Sequence, residues 1–226
     1  MQRKIGNIML LGSSHIAQGS VQHIHEQFAQ FAPDAVAIEL DRARLHALLQ
    51  KKKKTSYRAL LRVGIGGFLF ALVAQLMGKK LARMVGTEPG VDMLAAARLA
   101  GEHGKKVILA DQPLEKTLQG ISSLSFRKKI GMLWTTIKLM FDKKAKAMIS
   151  LPSLSDAPTE EFVMQAVQFL ENYYPDLSRV LLTERNHYIG RSLIRYNEQF
   201  PEDKVLVVLG AAHVPGVEAI LRAKII

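Results

Sequence analysis

Two short apolar runs, one near each end of the chain, both close with the pattern Gly-x-x-His. The first covers residues 8–15 (IMLLGSSH) and the second covers residues 205–213 (VLVVLGAAH). An apolar run of this length followed by glycine is typical of a buried strand in a parallel sheet. A fold that places both strands in one sheet brings both histidines to one edge. This pair therefore constrains the fold more than any other feature of the sequence.

Strand and helix patterns alternate along the chain. Strands are predicted at residues 5–11, 35–40, 106–110 and 205–209. The first two enclose a helix predicted at residues 15–32, and this βαβ unit is expected to have a right-handed crossover. We therefore predict an α/β fold with a mainly parallel, or mixed, central sheet flanked by helices, in a single domain over residues 1–226.

Basic residues are concentrated in the middle of the chain. Residues 45–150 contain 20 Lys and Arg against 6 Asp and Glu, a net charge of +14, whereas the whole chain carries +11. This asymmetry predicts that residues 45–84 and 120–150 form a basic and apolar helical insertion that faces an anionic partner such as a membrane surface. Nucleic acid is not the expected partner, because aromatic residues are not interleaved with the basic ones.

One stretch of this insertion, residues 63–78, has no charged residue and is 16 residues long. A spanning helix needs about 20 apolar residues. Its glycines, Gly64, Gly66 and Gly67, allow another backbone to approach closely. The stretch is predicted to be a buried helix or part of a homodimer interface, and a helix on an anionic membrane is the alternative. The N-terminus resembles no signal peptide, so the expected location is the cytoplasm or the periphery of a membrane.

Polar residues follow the predicted strands at their carboxyl ends. Such ends share one edge of a parallel sheet, so we expect a cluster of His15, Glu39, Asp41, Asp111 and His213. Histidine and carboxylate ligands suit a divalent metal such as Zn, Mn or Co, and the chain has no cysteine to offer a thiolate. A metal at this edge would activate water and polarise a carbonyl group.

Other residues beside these strand ends complete the predicted site. Gly12 and Gly210 stand before the two motif histidines, where they allow a sharp turn and close approach of a substrate backbone. Glu39 follows an apolar run and is expected to be buried. A buried carboxylate must be paired or bind metal, and Arg42 and Arg44 are the candidate partners.

The helix predicted at residues 177–197 carries a further polar group. Glu184 and His187 are three residues apart and share a helix face. This spacing is used for metal ligands, although His187 is not expected to be one. Arg185 is expected to bind a substrate carboxylate or to stabilise an oxyanion. No G-x-S-x-G elbow and no G-x-G-x-x-G loop occur, which argues against a serine hydrolase and a dinucleotide site.

Five blocks of the sequence together resemble one known family. They are LLGSSHIAQGSVQHI, PDAVAIELDRARLHAL, GTEPGVDMLAAARLAGEHGKKVILADQP, LLTERNHYIG and VLVVLGAAHVPGV. On these blocks, which span nearly the whole chain, the sequence resembles the TraB/PrgY pheromone-shutdown family. That family is related to the Tiki proteases, the ChaN-like haem-binding proteins and the erythromycin-esterase-like enzymes.

The resemblance implies a site made of two Gly-x-x-His motifs and a glutamate, which the Tiki branch associates with metal-dependent proteolysis. The matching positions here are His15, Glu39 and His213. Further family positions are matched by Arg42, Asp111, Glu184, Arg185 and Asn186. Gln112 departs from the pattern, because a basic residue is expected there in relatives.

Members of the PrgY type are thought to limit a secreted peptide signal by degrading or sequestering it. They often end in a hydrophobic membrane-anchoring region, whereas this sequence ends at Ile226, soon after the second motif.

Two functions are consistent with these observations. The first is a metal-dependent hydrolase, a peptidase on short peptides, in which both motif histidines bind the metal and Glu39 is a ligand or general base. Glu184 or Asp111 would complete the site, and Arg185 would hold the substrate. The alternative is a binding protein that sequesters a peptide or another small ligand in the same pocket without cleaving it.

Overall fold

A five-stranded sheet forms the centre of the molecule. The computed structural model describes residues 1–13, 18–50, 90–141 and 160–225. The strands are β1 (Gln2–Ile5), β2 (Ile8–Ser13), β3 (Ala35–Ile38), β4 (Lys106–Leu109) and β5 (Val205–Gly210). Their spatial order is β1-β2-β5-β3-β4, and all neighbours are parallel except β1 and β2. The predicted α/β class with a mainly parallel sheet is confirmed.

Helices follow the strands in the described part of the chain. They are α1 (Gln18–Phe31), α2 (Arg42–Leu49), α3 (Val91–Glu102), α4 (Leu114–Ser122), α5 (Phe126–Phe141), α6 (Glu160–Tyr173), α7 (Pro175–Ser178), α8 (Glu184–Gln199) and α9 (Val214–Ile225). A π-helical turn at Arg179–Thr183 joins α7 to α8. A 3₁₀ turn at Ala211–His213 joins β5 to α9.

The first strand was predicted to begin at residue 5, but strand β2 begins at Ile8. The chain turns after Ile5 through Gly6, which has a φ of 56°, and the residues before the turn form the separate strand β1. Strand β1 could not be recognised from the sequence, because only Ile5 of its four residues is buried and no apolar run marks it. Charged side chains at Arg3 and Lys4 are typical of an edge strand.

The two strands that carry the Gly-x-x-His motifs are direct neighbours. Strand β2 pairs with β5 in parallel, so that Ile8 lies opposite Val205 and Ser13 lies opposite Gly210. Strand β3 lies on the other side of β5 and is in the same register. The carboxyl ends of β2, β5 and β3 are therefore adjacent, and the residues that follow β5 and β3 meet at one edge of the sheet.

Alternate residues of the strands face two separate layers of helices. One layer packs α8 and α9 on the sheet through Ile5, Ile8, Leu10, Ala35, Ala37, Ile189, Leu193, Val205, Val207, Leu209, Val214, Val217 and Leu221. The other packs α1 and α3 on it through Met9, Leu11, Ile24, Phe28, Val36, Ile38, Met93, Ala96, Leu99, Ala100, Leu206 and Val208. The sheet is thus covered on both faces, which explains the unbroken apolar runs of its central strands.

A smaller apolar cluster lies outside the sheet layers. It joins α4, α7 and the π-helical turn through Ile121, Leu124, Leu177 and Val180. Of the predicted insertion, residues 51–84 and 142–150 lie outside the described residues, as does the apolar stretch 63–78. In the described part of the chain, no helix combines the length and apolar character that crossing a bilayer requires.

The contact between α8 and α9 predicts a destabilising substitution. A Cβ built on Gly190 of α8 would lie 2.6 Å from Cγ2 of Ile220 on α9. Gly190→Ala should therefore push the helices apart and lower the free energy of unfolding by about 1–3 kcal/mol. The matched control is Gly101→Ala on α3, where nothing lies within 4 Å. Chemical denaturation should show that the control is unchanged or more stable by up to about 1 kcal/mol.

Removing the opposing methyl group tests the cause of this effect. Ile220→Ala deletes Cγ2, so the double variant Gly190→Ala/Ile220→Ala should lose less stability than the sum of its two single variants. Strict additivity, or a Gly190→Ala protein as stable as the wild type, would contradict the proposed contact.

Candidate functional site

A buried glutamate lies at the centre of the strand-end edge. Glu39 follows β3 and is only 5% exposed. Its backbone N–H donates to the carbonyl of Val208 at 3.2 Å, which continues the pairing of β3 with β5. Its Oε2 accepts a hydrogen bond of 2.6 Å from the N–H of Gly210, the last residue of β5. The sheet itself therefore holds the carboxylate in place.

The second motif histidine contacts this carboxylate. His213 ends the 3₁₀ turn after β5 and is 4% exposed. Its Nε2 lies 3.2 Å from Oε1 of Glu39, and its Nδ1 lies 2.7 Å from Oδ1 of Asn186. Both ring nitrogens thus face oxygen atoms that accept hydrogen bonds. Nε2 and Oε1 of Glu39 are therefore close enough to share a proton or a bound cation.

The amide of Asn186 is held by its neighbours. A Cβ built on Gly216 of α9 would lie 2.1 Å from Nδ2 of Asn186, so only glycine leaves room for this amide. With its nitrogen side against Gly216, the amide presents Oδ1 to the Nδ1–H of His213. Sequence reasoning missed Gly216, although a glycine inside the first turn of a helix was the available signal.

A buried arginine joins carboxylates from two strand ends. Nη2 of Arg185 contacts Oε1 of Glu39 and lies 2.5 Å from Oδ2 of Asp111, while its Nε lies 3.2 Å from Oδ1 of Asp111. Burial acts to lower the pKa of Arg185, but the charge of Glu39 and the hydrogen bonds to Asp111 outweigh it and raise that pKa. Arg185 is therefore a permanent cation at this edge.

The predicted partners of Glu39, Arg42 and Arg44, are wrong. Arg42 is exposed in the first turn of α2. Arg44 lies on the same helix, where its Nε donates to Oδ2 of Asp41 at 2.6 Å and its Nη2 to Oδ2 of Asp111 at 2.6 Å. The physical reason is that Asp41 caps α2 and holds Arg44 on the Asp111 side of the network.

Asp41 ties α2 to the start of α4. Its Oδ1 accepts from the backbone N–H of Arg44 at 2.9 Å, and its Oδ2 accepts from the N–H of Leu114 at 3.2 Å. Burial alone would raise the pKa of Asp41, but the backbone and side-chain hydrogen bonds from Arg44 outweigh it and lower that pKa. Asp41 is 6% exposed and is ionised at neutral pH.

Within the described residues this network contains more carboxylates than guanidinium groups. Three carboxylates, those of Glu39, Asp41 and Asp111, face two guanidinium groups, those of Arg44 and Arg185. His213 lies beside this acidic cluster through its contact with Glu39.

A metal centre is not complete within the described part of the chain. Among those residues, no group of three or more histidine, aspartate or glutamate side chains could hold a metal ion. His15, the predicted ligand from the first motif, lies outside the described residues, which stop at Ser13 and resume at Gln18.

Glu184 lies apart from the Glu39 network. Its carboxylate is 37% exposed and pairs with Arg179. His187, one turn later, is exposed. Both residues follow the π-helical turn, a feature that often marks functional sites. No pattern in the sequence indicated this turn.

The end of β2 makes a further buried contact that the sequence analysis missed. The hydroxyl of Ser13 donates to Oδ2 of Asp92 in the first turn of α3, and Asp92 is 2% exposed. Beside this contact lies a pocket of about 170 Å³, whose walls include Gly12, Ser20 and Ala211. Glu39 and His213 are not among its walls, and Ala211 is its nearest link along the chain to His213.

Comparison with known proteins supports the resemblance found in the sequence. The model of the TraB/PrgY/gumN family matches residues 2–224. An uncharacterized protein of Methanocaldococcus jannaschii is 24% identical over 226 residues, which cover 96% of this chain and 53% of that protein. The chain thus spans about half the length of the curated relative that it matches.

Arg185 is predicted to be essential for stability. Arg185→Met leaves Glu39 and Asp111 buried without their shared cation, and should lower the free energy of unfolding by about 3–5 kcal/mol. Arg185→Lys should fall between this variant and the wild type, because an ammonium group keeps the charge but not the planar geometry. Urea denaturation at neutral pH measures both.

The control for Arg185 lies on the same helix. Arg191 is exposed and donates to the carbonyl of His187. Arg191→Met should change the free energy of unfolding by no more than about 0.5 kcal/mol. Equal losses at positions 185 and 191 would show that the buried network contributes nothing specific.

The lowered pKa of Asp41 predicts that the stability of the protein depends on pH. A carboxylate whose pKa is lowered on folding stabilises the protein above its unfolded-state pKa, and this contribution is lost as the pH falls through the lower folded-state pKa. Asp41→Asn should therefore be less stable than the wild type at neutral pH. The difference should shrink as the pH falls below 3.8, the ordinary value for this group. A difference that stays constant across thermal unfolding experiments from neutral to acidic pH would contradict this origin.

Proposed function

This chain belongs to the TraB/PrgY/gumN family, and from that premise we propose that it is a metal-dependent hydrolase acting on short peptides. One observation carries the proposal. Both ring nitrogens of His213 face oxygen acceptors, with Nε2 at 3.2 Å from Oε1 of Glu39. A cation shared by Nε2 and Oε1 would bind both atoms, in a part of the described structure where carboxylates outnumber guanidinium groups.

The donor atoms present fit a divalent metal. Two ligands bound to one Zn²⁺ at about 2.0–2.2 Å lie roughly 3 Å apart, which matches the distance between Nε2 and Oε1. His213 and Glu39 would hold the metal together with His15, the ligand expected from the first motif. Zn, Mn and Co all suit this donor set. When bound, the metal would lower the pKa of a water molecule and polarise the substrate carbonyl.

The residues of the chain have separate roles in this proposal. Asn186 accepts the Nδ1 proton of His213, and so keeps the lone pair on Nε2, the nitrogen that faces Glu39. The N–H of Gly210 holds one oxygen of Glu39 and leaves the other beside His213, where it can bind metal or accept a proton. Arg185 would bind a carboxylate or an oxyanion of the substrate, while Asp111 fixes its orientation.

The pocket beside Ser13 is a candidate place for part of a small ligand. Leu11, Ile24 and Val163 give it apolar walls. Ala211, two residues before His213, is also one of its walls, and this neighbourhood supports the proposal that a ligand bound there reaches the proposed centre.

A second candidate function rests on a different observation. Oε1 of Glu39 contacts Arg185, and Oε2 accepts from Gly210, so the carboxylate is satisfied without a metal. In that arrangement the edge of the sheet is a binding site and not a catalytic one. The protein would then sequester a peptide or another small ligand without cleaving it.

Metal content and peptide turnover distinguish the two functions. The chain is stripped with a chelator, reloaded with Zn, Mn or Co, and incubated with a mixture of short synthetic peptides, whose new termini are detected by mass spectrometry. We expect stoichiometric metal and metal-dependent cleavage. His213→Ala and Glu39→Gln should each lose the metal and reduce turnover by about 100-fold or more.

The control variant is His187→Ala, which removes an exposed histidine from α8. It should keep both metal and turnover, while thermal unfolding confirms that all variants are folded. A metal-free protein that binds peptides and leaves them intact would favour the second function. A protein that neither binds nor cleaves them would contradict both.

A further inference from the structure

One face of α5 exposes large apolar side chains to solvent. Phe126 is 75% exposed, Ile130 is 50% exposed and Trp134 is 60% exposed. They are four residues apart along the helix, so they form a single stripe. We call Phe126, Ile130 and Trp134 the α5 stripe. Three exposed large side chains in a row exceed the scattered apolar residues that any protein surface has.

The other side of α5 attaches the helix to the protein. Met132 packs on the apolar cluster of α4 and α7. Nζ of Lys129 donates to the carbonyl of Ser122 at 2.7 Å, and Nζ of Lys128 lies 2.6 Å from a carboxylate oxygen of Asp176. The helix is therefore docked by its opposite side, and the α5 stripe contributes nothing to the described core.

The sequence of α5 is basic. Helix α5 contains Arg127, Lys128, Lys129 and Lys138 and no acidic residue. The middle region that includes it, residues 45–150, has a net charge of +14, whereas residues 151–226 carry 7 basic and 10 acidic residues. A partner that covers the stripe must therefore accept apolar side chains and carry negative charge.

We propose that the α5 stripe docks on the surface of an anionic lipid bilayer. Helix α5 would lie in the plane of the membrane, with Phe126, Ile130 and Trp134 among the upper acyl chains. Arg127 would lie at the level of the lipid phosphates. Tryptophan prefers this interface because its ring is apolar while its N–H stays hydrated. The contact is peripheral, and it does not depend on whether the strand-end site cleaves peptides.

The sequence supplies a reporter for this surface, since Trp134 is the single tryptophan of the chain. Its emission is recorded while vesicles of phosphatidylcholine and phosphatidylserine are added to the full chain. We expect a shift to shorter wavelength as the indole leaves water. High salt should reverse this shift, because it screens the lipid charge. Vesicles of phosphatidylcholine alone should produce little change.

Substitutions in the stripe test the apolar part of the contact. Phe126→Ser/Ile130→Ser keeps Trp134 as reporter and should weaken vesicle binding by about tenfold or more. Arg127→Glu should weaken binding to anionic vesicles and leave the unfolding transition unchanged. Met164→Ser is the matched control, because Met164 is an exposed apolar residue on α6, in the region of net negative charge. It should bind vesicles as the wild type does.

Three results would overturn the proposal. Trp134 emission that stays constant with anionic vesicles would show that the stripe does not meet the bilayer. A shift that depends on protein concentration without vesicles, together with a doubled mass in light scattering, would assign the stripe to a second copy of the chain. A shift produced by an oligonucleotide and not by vesicles would assign it to nucleic acid.

Discussion

The contact of Arg185 with Glu39 and Asp111 is the interaction on which this edge of the molecule depends. The side chain of Arg185 is only 16% exposed, and its guanidinium group bridges carboxylates that follow two different strands. Two buried acids side by side would repel each other and lose their hydration, and one shared cation removes both difficulties. Since Arg185 lies in the first turn of α8, the same contact also holds the start of the helix that carries Asn186. One ion-pair network therefore positions both Glu39 and the helix whose Asn186 contacts His213.

The parallel sheet provides the positions that this network joins. Strand β5 lies between β2 and β3, so the first motif, the second motif and Glu39 all follow neighbouring strand ends. Gly210 belongs both to the sheet and to the site, because it pairs with Ser13 and its N–H donates to Glu39. If another strand lay between β2 and β5, the two motifs would no longer be neighbours. The function proposed for the chain thus depends on strand order as much as on side-chain chemistry.

The sequence predicted the four parallel strands but not the side-chain pairings at their ends. Long apolar runs reveal buried parallel strands, and the strand-end rule then brought Glu39, Asp111 and His213 to one edge. The partner of Glu39 could not be found in this way, because Arg185 lies 146 residues away in the sequence. The nearby Arg44 was an equally plausible partner from the sequence, but in the structure it binds Asp41 and Asp111. Strand β1 was missed for a related reason, since an edge strand with one buried residue lacks an apolar pattern.

The choice between catalysis and binding depends on one atom, Oε1 of Glu39. It contacts both Arg185 and His213, so a metal at this atom would stand beside a guanidinium group. Two adjacent cations repel each other unless a carboxylate neutralises one of them. Asp111 engages both Nε and Nη2 of Arg185, but its Oδ2 also accepts from Arg44, so its charge is shared between two guanidinium groups. The proposed metal therefore requires that Glu39 serve Arg185 and the metal together, whereas the sequestering function makes no such demand on Oε1.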